Sequence, residues 1–303
     1  DMSPDYDNLT AKDIDGSESV YQLNLNNLKV PGGEKSVLFA VWGNAGGQND
    51  LRWYTAENLG KHNYRLKVSI TNHKELGEYN VNAYYITRNN ELQGIASTIF
   101  NVSQTTKCAG IQVSEVDGNK GTFKVTVSGV FAPSSVQTVQ IPMWCADNQS
   151  DIVWYTAIKE AEGIYSAIMN VKNHAYHFGN YKINVYATMG NGVRTFVTSR
   201  TADIQPKNYV YSLAKTSTTR EVGVLGATGN RVQFPTWSNS NGQDDIVWYE
   251  GTNCGNGKWN AIVNSNNHKH AGEYTTHVYI TNNGKSNFAG AMNYSLQKIP
   301  QGL

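Results

Sequence analysis

The stretch NGQDDIVWYEG, Asn241 to Gly251, decides the architecture, because the chain writes it three times. GGQNDLRWYTA surrounds Trp53 and DNQSDIVWYTA surrounds Trp154, with the three tryptophans about a hundred residues apart. Working outward, a second Trp precedes each phrase: Trp42, Trp144 and Trp237. Twenty residues after each phrase's Trp stands a His: His73, His174 and His268. A Gly-x-Tyr follows (Gly77 and Tyr79, Gly179 and Tyr181, Gly272 and Tyr274), and then a further Tyr at 84, 186 and 279. A period near a hundred means tandem copies of one self-sufficient domain, since solenoid units of about 20–50 residues need neighbours to bury a face. The expected domains are 1–105, 106–206 and 207–303. The breaks fall in SQTTKCAG and in DIQPKNYV, the latter punctuated by Pro206.

Inside a copy the hydrophobic period is two. In YKINVYA, Tyr181, Ile183, Val185 and Ala187 alternate with Lys182, Asn184 and Tyr186, the signature of a half-buried strand. The second copy offers seven strand-like runs: IQVSEV, TFKVTVSGV, VQTVQIPMW, DIVWYTAI, GIYSAIMNV, NYKINVYAT and RTFVTSRTA. Turn clusters such as DGNKG and MGNG separate them. Seven short strands in about a hundred residues predict an immunoglobulin-like sandwich, with the Gly-x-Tyr as its tyrosine corner. The fold class is therefore all-β: three tandem immunoglobulin-like β-sandwich modules, arranged as beads on a string.

Composition narrows the function classes. Of 303 residues only 16% are charged, against about 25% in ordinary domains, whereas there are 18 Tyr and 7 Trp. A formal net charge of +1 provides no electrostatic footprint for nucleic acid or an anionic membrane surface. No apolar run is long enough to span a bilayer, and DMSPDYDNLT does not read as a signal peptide, so a secretion signal is expected outside this sequence. Cys108, Cys145 and Cys254 fall at unrelated places in the copies, so no disulfide framework repeats with the fold.

Alternation also assigns faces. VQIPMW puts Val139, Ile141 and Met143 on one side and Gln140, Pro142 and Trp144 on the other; RVQFPTW does the same around Trp237. Unpaired Gln and Arg belong in water, so the first Trp of each copy is expected outside unless a bulge resets the register. In LRWYTA, Arg52 shares a face with Tyr54, which predicts Trp53, Trp154 and Trp248 inside and Tyr54, Tyr155 and Tyr249 outside. Each copy then carries an outward aromatic trio: Trp42, Tyr54 and Tyr84; Trp144, Tyr155 and Tyr186; Trp237, Tyr249 and Tyr279. Such rings suit the apolar faces of a sugar, suit a protein partner, or simply pair across strands.

Three further residues recur: Asp50, Asp151 and Asp245 before the second Trp; the His; and the Asn before it, Asn72, Asn173 and Asn267. A His beside a carboxylate is the raw material of a general base or half a metal site, but no nucleophile or third ligand repeats with them. The expected roles are structural: the His bonded to backbone and the Asp a turn former. Cys145 with His174 or His177 is a protease-like pairing, yet its counterparts are Gly43 and Ser238, so a free thiol is the plainer reading. HExxH, GxSxG, Walker and CxxC motifs do not occur. No catalytic residue, metal or cofactor is expected.

NGQDDIVWY followed by NNHKHAGEYTTHVYITNNG resembles the Bsp-like repeat, found in tandem in secreted and surface proteins of Gram-positive bacteria and first named from a group B streptococcal secreted protein. The resemblance covers roughly Trp42–Asn90, Trp144–Gly192 and Trp237–Gly284, and is closest in the third copy. Arg52 and the ELGEY loop depart from it in the first copy, and an inserted residue in AYHFGNY in the second. It implies non-catalytic, cell-wall-associated modules of a larger secreted protein, commonly one with a peptidoglycan hydrolase domain. On that basis the expected partner is wall glycan or peptidoglycan, held weakly by the aromatic trios of a monomer at the cell surface. The alternative is a structural or adhesive stalk touching a host or surface protein. A third reading is a hydrolase in its own right.

Overall fold

A computed structural model describes residues 3–73, 75–103 and 105–299. Gln104, inside the first expected domain break, lies outside them, as do the chain's first two residues and its last four. The first module runs β1 (Asn8–Asp13), β2 (Val20–Asn26), β3 (Glu34–Gly43), β4 (Arg52–Thr55), β5 (Glu57–Gly60), β6 (Asn63–Ser69), β7 (Gly77–Thr87) and β8 (Leu92–Val102). They form two antiparallel sheets in the orders β1-β2-β6-β5 and β4-β3-β7-β8. The second module repeats this with β9 (Gly110–Asp117), β10 (Thr122–Ser128), β11 (Val136–Trp144), β12 (Val153–Thr156), β13 (Ile158–Ala161), β14 (Ile164–Asn170), β15 (Gly179–Met189) and β16 (Arg194–Ile204). The third has β17 (Tyr209–Ala214), β18 (Thr219–Leu225), β19 (Arg231–Ser238), β20 (Ser240–Gln243), β21 (Val247–Glu250), β22 (Thr252–Gly255), β23 (Lys258–Asn264), β24 (Gly272–Asn282) and β25 (Lys285–Leu296). The all-β, three-sandwich architecture is as the sequence predicts.

All seven runs of the second copy are strands, and an eighth follows DIVWYT. At Ala56, Ala157 and Gly251 the backbone N–H still bonds to β3, β11 or β19, and the chain then crosses to the opposite sheet. One apparent strand is thus two, one per sheet. The sequence hides this because the crossing residue leaves the period-two pattern intact.

Alternation fills each core. In β2 Tyr21, Leu23 and Leu25 are buried with Phe39, Val41, Tyr79 and Val81 from the facing sheet, and the other two modules repeat the arrangement. Burying one such aliphatic side chain stabilises by about 1.5–3 kcal/mol. The tyrosine corner is present three times: the O–H groups of Tyr79, Tyr181 and Tyr274 donate to the carbonyls of Glu75, His177 and His270 at 2.6, 2.6 and 2.5 Å. The glycine two residues earlier is required by its backbone, with φ of 95°, 134° and 108° at Gly77, Gly179 and Gly272.

The modules are joined unequally. Tyr209 and Tyr211 on β17 belong to the second module's core cluster, where Tyr176 and Phe178 pack against them, with Phe178 5.1 Å from Tyr209 between ring centroids. Those two aromatics sit in the AYHFGNY loop with its inserted residue, whose Ala175 and Tyr176 take φ of 54° and 59°. The insertion is therefore the joint. Between the first two modules the Ser19 hydroxyl donates to the Pro133 carbonyl, and the Thr71 methyl approaches Gly190.

Candidate functional site

Each module contains the same buried chain of polar groups. The Tyr after the second Trp donates its O–H to the His Nε2: Tyr54 to His73 at 2.9 Å, Tyr155 to His174 at 2.7 Å, Tyr249 to His268 at 2.8 Å. The His Nδ1 lies 3.1, 2.7 and 3.0 Å from the backbone carbonyl of Asp50, Asp151 and Asp245. A carbonyl only accepts, so Nδ1 carries the proton and Nε2 is free to accept from the phenol. Burial holds all three imidazoles below their ordinary pKa, against the pull of the adjacent Asp. These are neutral histidines.

The Asp carboxylate faces the other way and closes the loop after the first Trp, accepting the backbone N–H of Gly43, Cys145 or Ser238 at 2.9, 3.1 and 3.0 Å. Burial would raise the carboxyls of Asp151 and Asp245, but hydrogen bonds outweigh it and hold both below the usual range: His177 and two backbone amides on Asp151, Ser238 and the Lys269 amide on Asp245. Asn173 and Asn267 donate from Nδ2 to the Tyr oxygen at 3.4 Å. The repeated Asp, Tyr and His thus form one interior scaffold, with the exposed Asn at its rim. The histidines are 0%, 0% and 3% exposed, beyond the reach of a substrate.

Cys145 does not read as a nucleophile. Burial pushes its thiol up and Asp151 adds to this, while His174 has both ring nitrogens engaged by Tyr155 and the Asp151 carbonyl, and His177 is bound through Nδ1 to Asp151 at 2.9 Å. The position's shared job in all three copies is the backbone N–H given to the Asp. Among the described residues no cluster of His, Cys, Asp and Glu is placed to hold a metal ion, and no helix is long and apolar enough to cross a membrane.

The outward face of the β4-β3-β7-β8 sheet is different in character. Partners across a ladder share a face, and Phe39 opposes Tyr54 while Ala40 opposes Trp53. Likewise Ile141 opposes Tyr155 and Pro142 opposes Trp154; Phe234 opposes Tyr249 and Pro235 opposes Trp248. This corrects the expected faces of the short strand. Trp53, Trp154 and Trp248 are not core; they are 50%, 41% and 52% exposed. Tyr54, Tyr155 and Tyr249 point inward, against the core and the buried His. The cause is Arg52: β4 is a sheet edge, so a charged residue at its end reaches water from the inner side, and its polarity misassigns the strand. The other two copies have Val153 and Val247 there, which fit the inward side.

On the longer strands of all three copies the first Trp and the later Tyr lie on the expected face. Trp42, Trp144 and Trp237 lie half-buried on the outward side, opposite Asn80, Lys182 and Thr275. Tyr84, Tyr186 and Tyr279 stand on it too, and each meets the exposed Trp at a ring separation of 5.0, 5.3 and 5.7 Å. A β-bulge lies beside each of these Tyr, at Ile95, Val197 and Ala289, which turn toward the core. The residue before the bulge then shares the outward side with the Tyr: Gly94, Phe196 and Phe288. Sequence reasoning missed both Phe residues because a bulge inverts the alternation on β16 and β25.

The three faces are therefore variants of one plan. In the first, Gly94 leaves a shallow hollow of about 340 Å³ beside Asn82, Tyr84 and Ser97. In the second, Phe196 packs edge-on to Tyr186 at 5.7 Å, and the Arg194 guanidinium lies 4.8 Å from the Trp154 ring centroid. In the third, His277 sits among Trp237 at 4.8 Å and Phe288 at 5.1 Å.

Fold and site define a class: tandem immunoglobulin-like sandwich modules, each with a scaffold of buried Tyr, His and Asp beneath one aromatic sheet face. The chain belongs to the GBS Bsp-like repeat family, which matches residues 10–100, 112–202 and 210–294. No curated protein matches it. Among solved structures it is similar to a tetra-tandem repeat in the extending region of a large adhesion protein, at 18% identity over 95% of this chain and 73% of that one, TM-score 0.37. It is also similar to the FN1–FN3 domains of chicken CNTN1, at 10% identity over 98% of both chains, TM-score 0.27. A third likeness is to a 1.5-MDa bacterial ice-binding adhesin, at 11% identity over 92% and 91%, TM-score 0.27. At these values the likenesses bear on neither ligand nor partner.

Proposed function

We propose that the chain is a non-catalytic, cell-surface array that binds wall glycan weakly through its aromatic sheet faces, so as to hold a larger secreted protein, such as one with a peptidoglycan hydrolase domain, at its substrate. One observation carries this reading: every module leaves a Trp about half exposed beside a Tyr on a rigid sheet, where burial would stabilise it more. Exposed indoles in register, flanked by Asn, Thr and Lys, offer stacking surface for sugar rings and donors for their hydroxyls. Three weak faces on one chain gain by avidity when the linkers let them reach the same polymer.

Co-sedimentation with purified Gram-positive walls tests it, comparing the wild-type chain with Trp53→Ala, Trp154→Ala and Trp248→Ala combined. The reading requires binding that the triple variant loses while circular dichroism shows it folded; undiminished binding would refute it. The packed joint between the second and third modules favours a second reading, a stalk that spaces and contacts other proteins. In that case the chain would stay in the supernatant when walls are pelleted and bind purified host or surface glycoproteins instead.

A further inference from the structure

Resting on the glycan-binding reading, the geometry points to the second module's face as selective for a sugar that carries a carboxylate, with Arg194 as the selecting residue. Arg194 stands opposite Thr188 on the β15–β16 ladder, two residues before Phe196. Its guanidinium is 4.8 Å from the Trp154 ring centroid and 5.6 Å from that of Tyr186. The module's ion pairs are Lys124 with Glu160, Lys159 with Glu162, His177 with Asp151, and Lys182 with Asp147; Arg194 is in none of them among the described residues. Its position is thus fixed by two rings, and its N–H donors remain uncommitted.

That arrangement suits an anion. Ring stacking orders the guanidinium without using its donors, so a planar carboxylate can take two parallel hydrogen bonds at little further cost in side-chain freedom. Phosphate shares the charge, but a flat carboxylate attached to a ring that itself stacks on Trp154 uses both features at once. The other modules supply the contrast. The residue in the corresponding register is Leu92 in the first and Ser286 in the third, and the third's Arg231 is already paired with Glu250.

The test uses the full chain with Trp53→Ala and Trp248→Ala, which leaves one intact face. The probes are an N-acetylglucosamine–N-acetylmuramic acid tetrasaccharide with free lactyl carboxylates and the same sugar with those carboxyls amidated, titrated calorimetrically. The acid form is expected to bind about three- to tenfold tighter, a range discounted from a buried charged hydrogen bond because the site is open to solvent. Adding Arg194→Gln should bring the ratio to about one, and 1 M salt should shrink it in the parent. Equal affinity for acid and amide in the parent, or an unchanged ratio in the Arg194→Gln chain, would overturn the selectivity and leave the aromatic platform standing. Binding of neither sugar would overturn the platform, and the selectivity with it.

Discussion

Replacing Tyr249 by Phe removes one oxygen atom and leaves the ring that packs on the third module's core. The lost O–H is the partner of His268 Nε2 at 2.8 Å, and its oxygen also accepts the backbone N–H of Asn264 at 3.4 Å. His268 is 3% exposed, so water does not replace the donor, and leaving a buried polar group unpaired costs about 1–3 kcal/mol. Taking ~2 kcal/mol, and about 4–8 °C per kcal/mol for a module of this size, the third module's melting transition should fall by roughly 8–16 °C. The assay is differential scanning calorimetry of the full chain beside Tyr279→Phe, whose ring stands on the outward face. That control should stay within about 0.5 kcal/mol of wild type. If both variants behave like the wild type, the phenol does not satisfy a buried imidazole and the interior scaffold is misdescribed.

Other outcomes follow from the same contacts. His73, His174 and His268 have pKa values depressed by burial below the ordinary 6.5, so the unfolded chain binds more protons and stability must fall as pH drops below about 6.5; Asp151 and Asp245, depressed below 3.8, extend the loss in stronger acid. A urea midpoint at pH 5.0 equal to or above that at pH 7.5 would contradict this. Trp53→Ala, Trp154→Ala and Trp248→Ala should each cost no more than ~1 kcal/mol in denaturant titrations, because each loses an exposed cross-strand pair and no core contact. Tyr176→Ala with Phe178→Ala should split a shared melting transition of the second and third modules into two; separate transitions already present in the wild type would show the joint to be weak.

How much of this was legible depended on whether a residue's neighbours could be inferred from period two alone. On β7, β15 and β24 the alternation runs eleven residues and places Tyr84, Tyr186 and Tyr279 correctly. On β4, β12 and β21 it runs only four, and there one charged residue, Arg52, outweighed the pattern. The bulges at Ile95, Val197 and Ala289 and the sheet crossings at Ala56, Ala157 and Gly251 are backbone events with no compositional mark. Phe196, Phe288 and the short strands after each crossing, β5, β13 and β22, were invisible for that reason. The recurrence of Asp, Asn and His was plain, and the expected bond from the His to backbone is present in each copy. What spacing could not reveal is that the His finds its second partner in the Tyr beside the exposed Trp.

That partnership explains why the shared motif and the outward aromatic face separate so cleanly. A small sandwich without disulfides must fix its loops by other means, and here a buried Tyr–His–Asp chain does so at the same place in each copy. Removing one of those groups leaves its partner unpaired in the core, so folding by itself accounts for their recurrence in the three copies. The outward positions carry no such penalty. Gly94, Phe196 and Phe288 occupy one site on the plan, as do Leu92, Arg194 and Ser286, and Asn82, Asn184 and His277 a third. On the proposed glycan-binding reading, differences in preference among the modules arise from these substitutions around a common Trp and Tyr. It follows that exchanging Arg194 and Ser286 between the second and third faces should move the preference for a carboxylate with the arginine and leave both melting transitions in place.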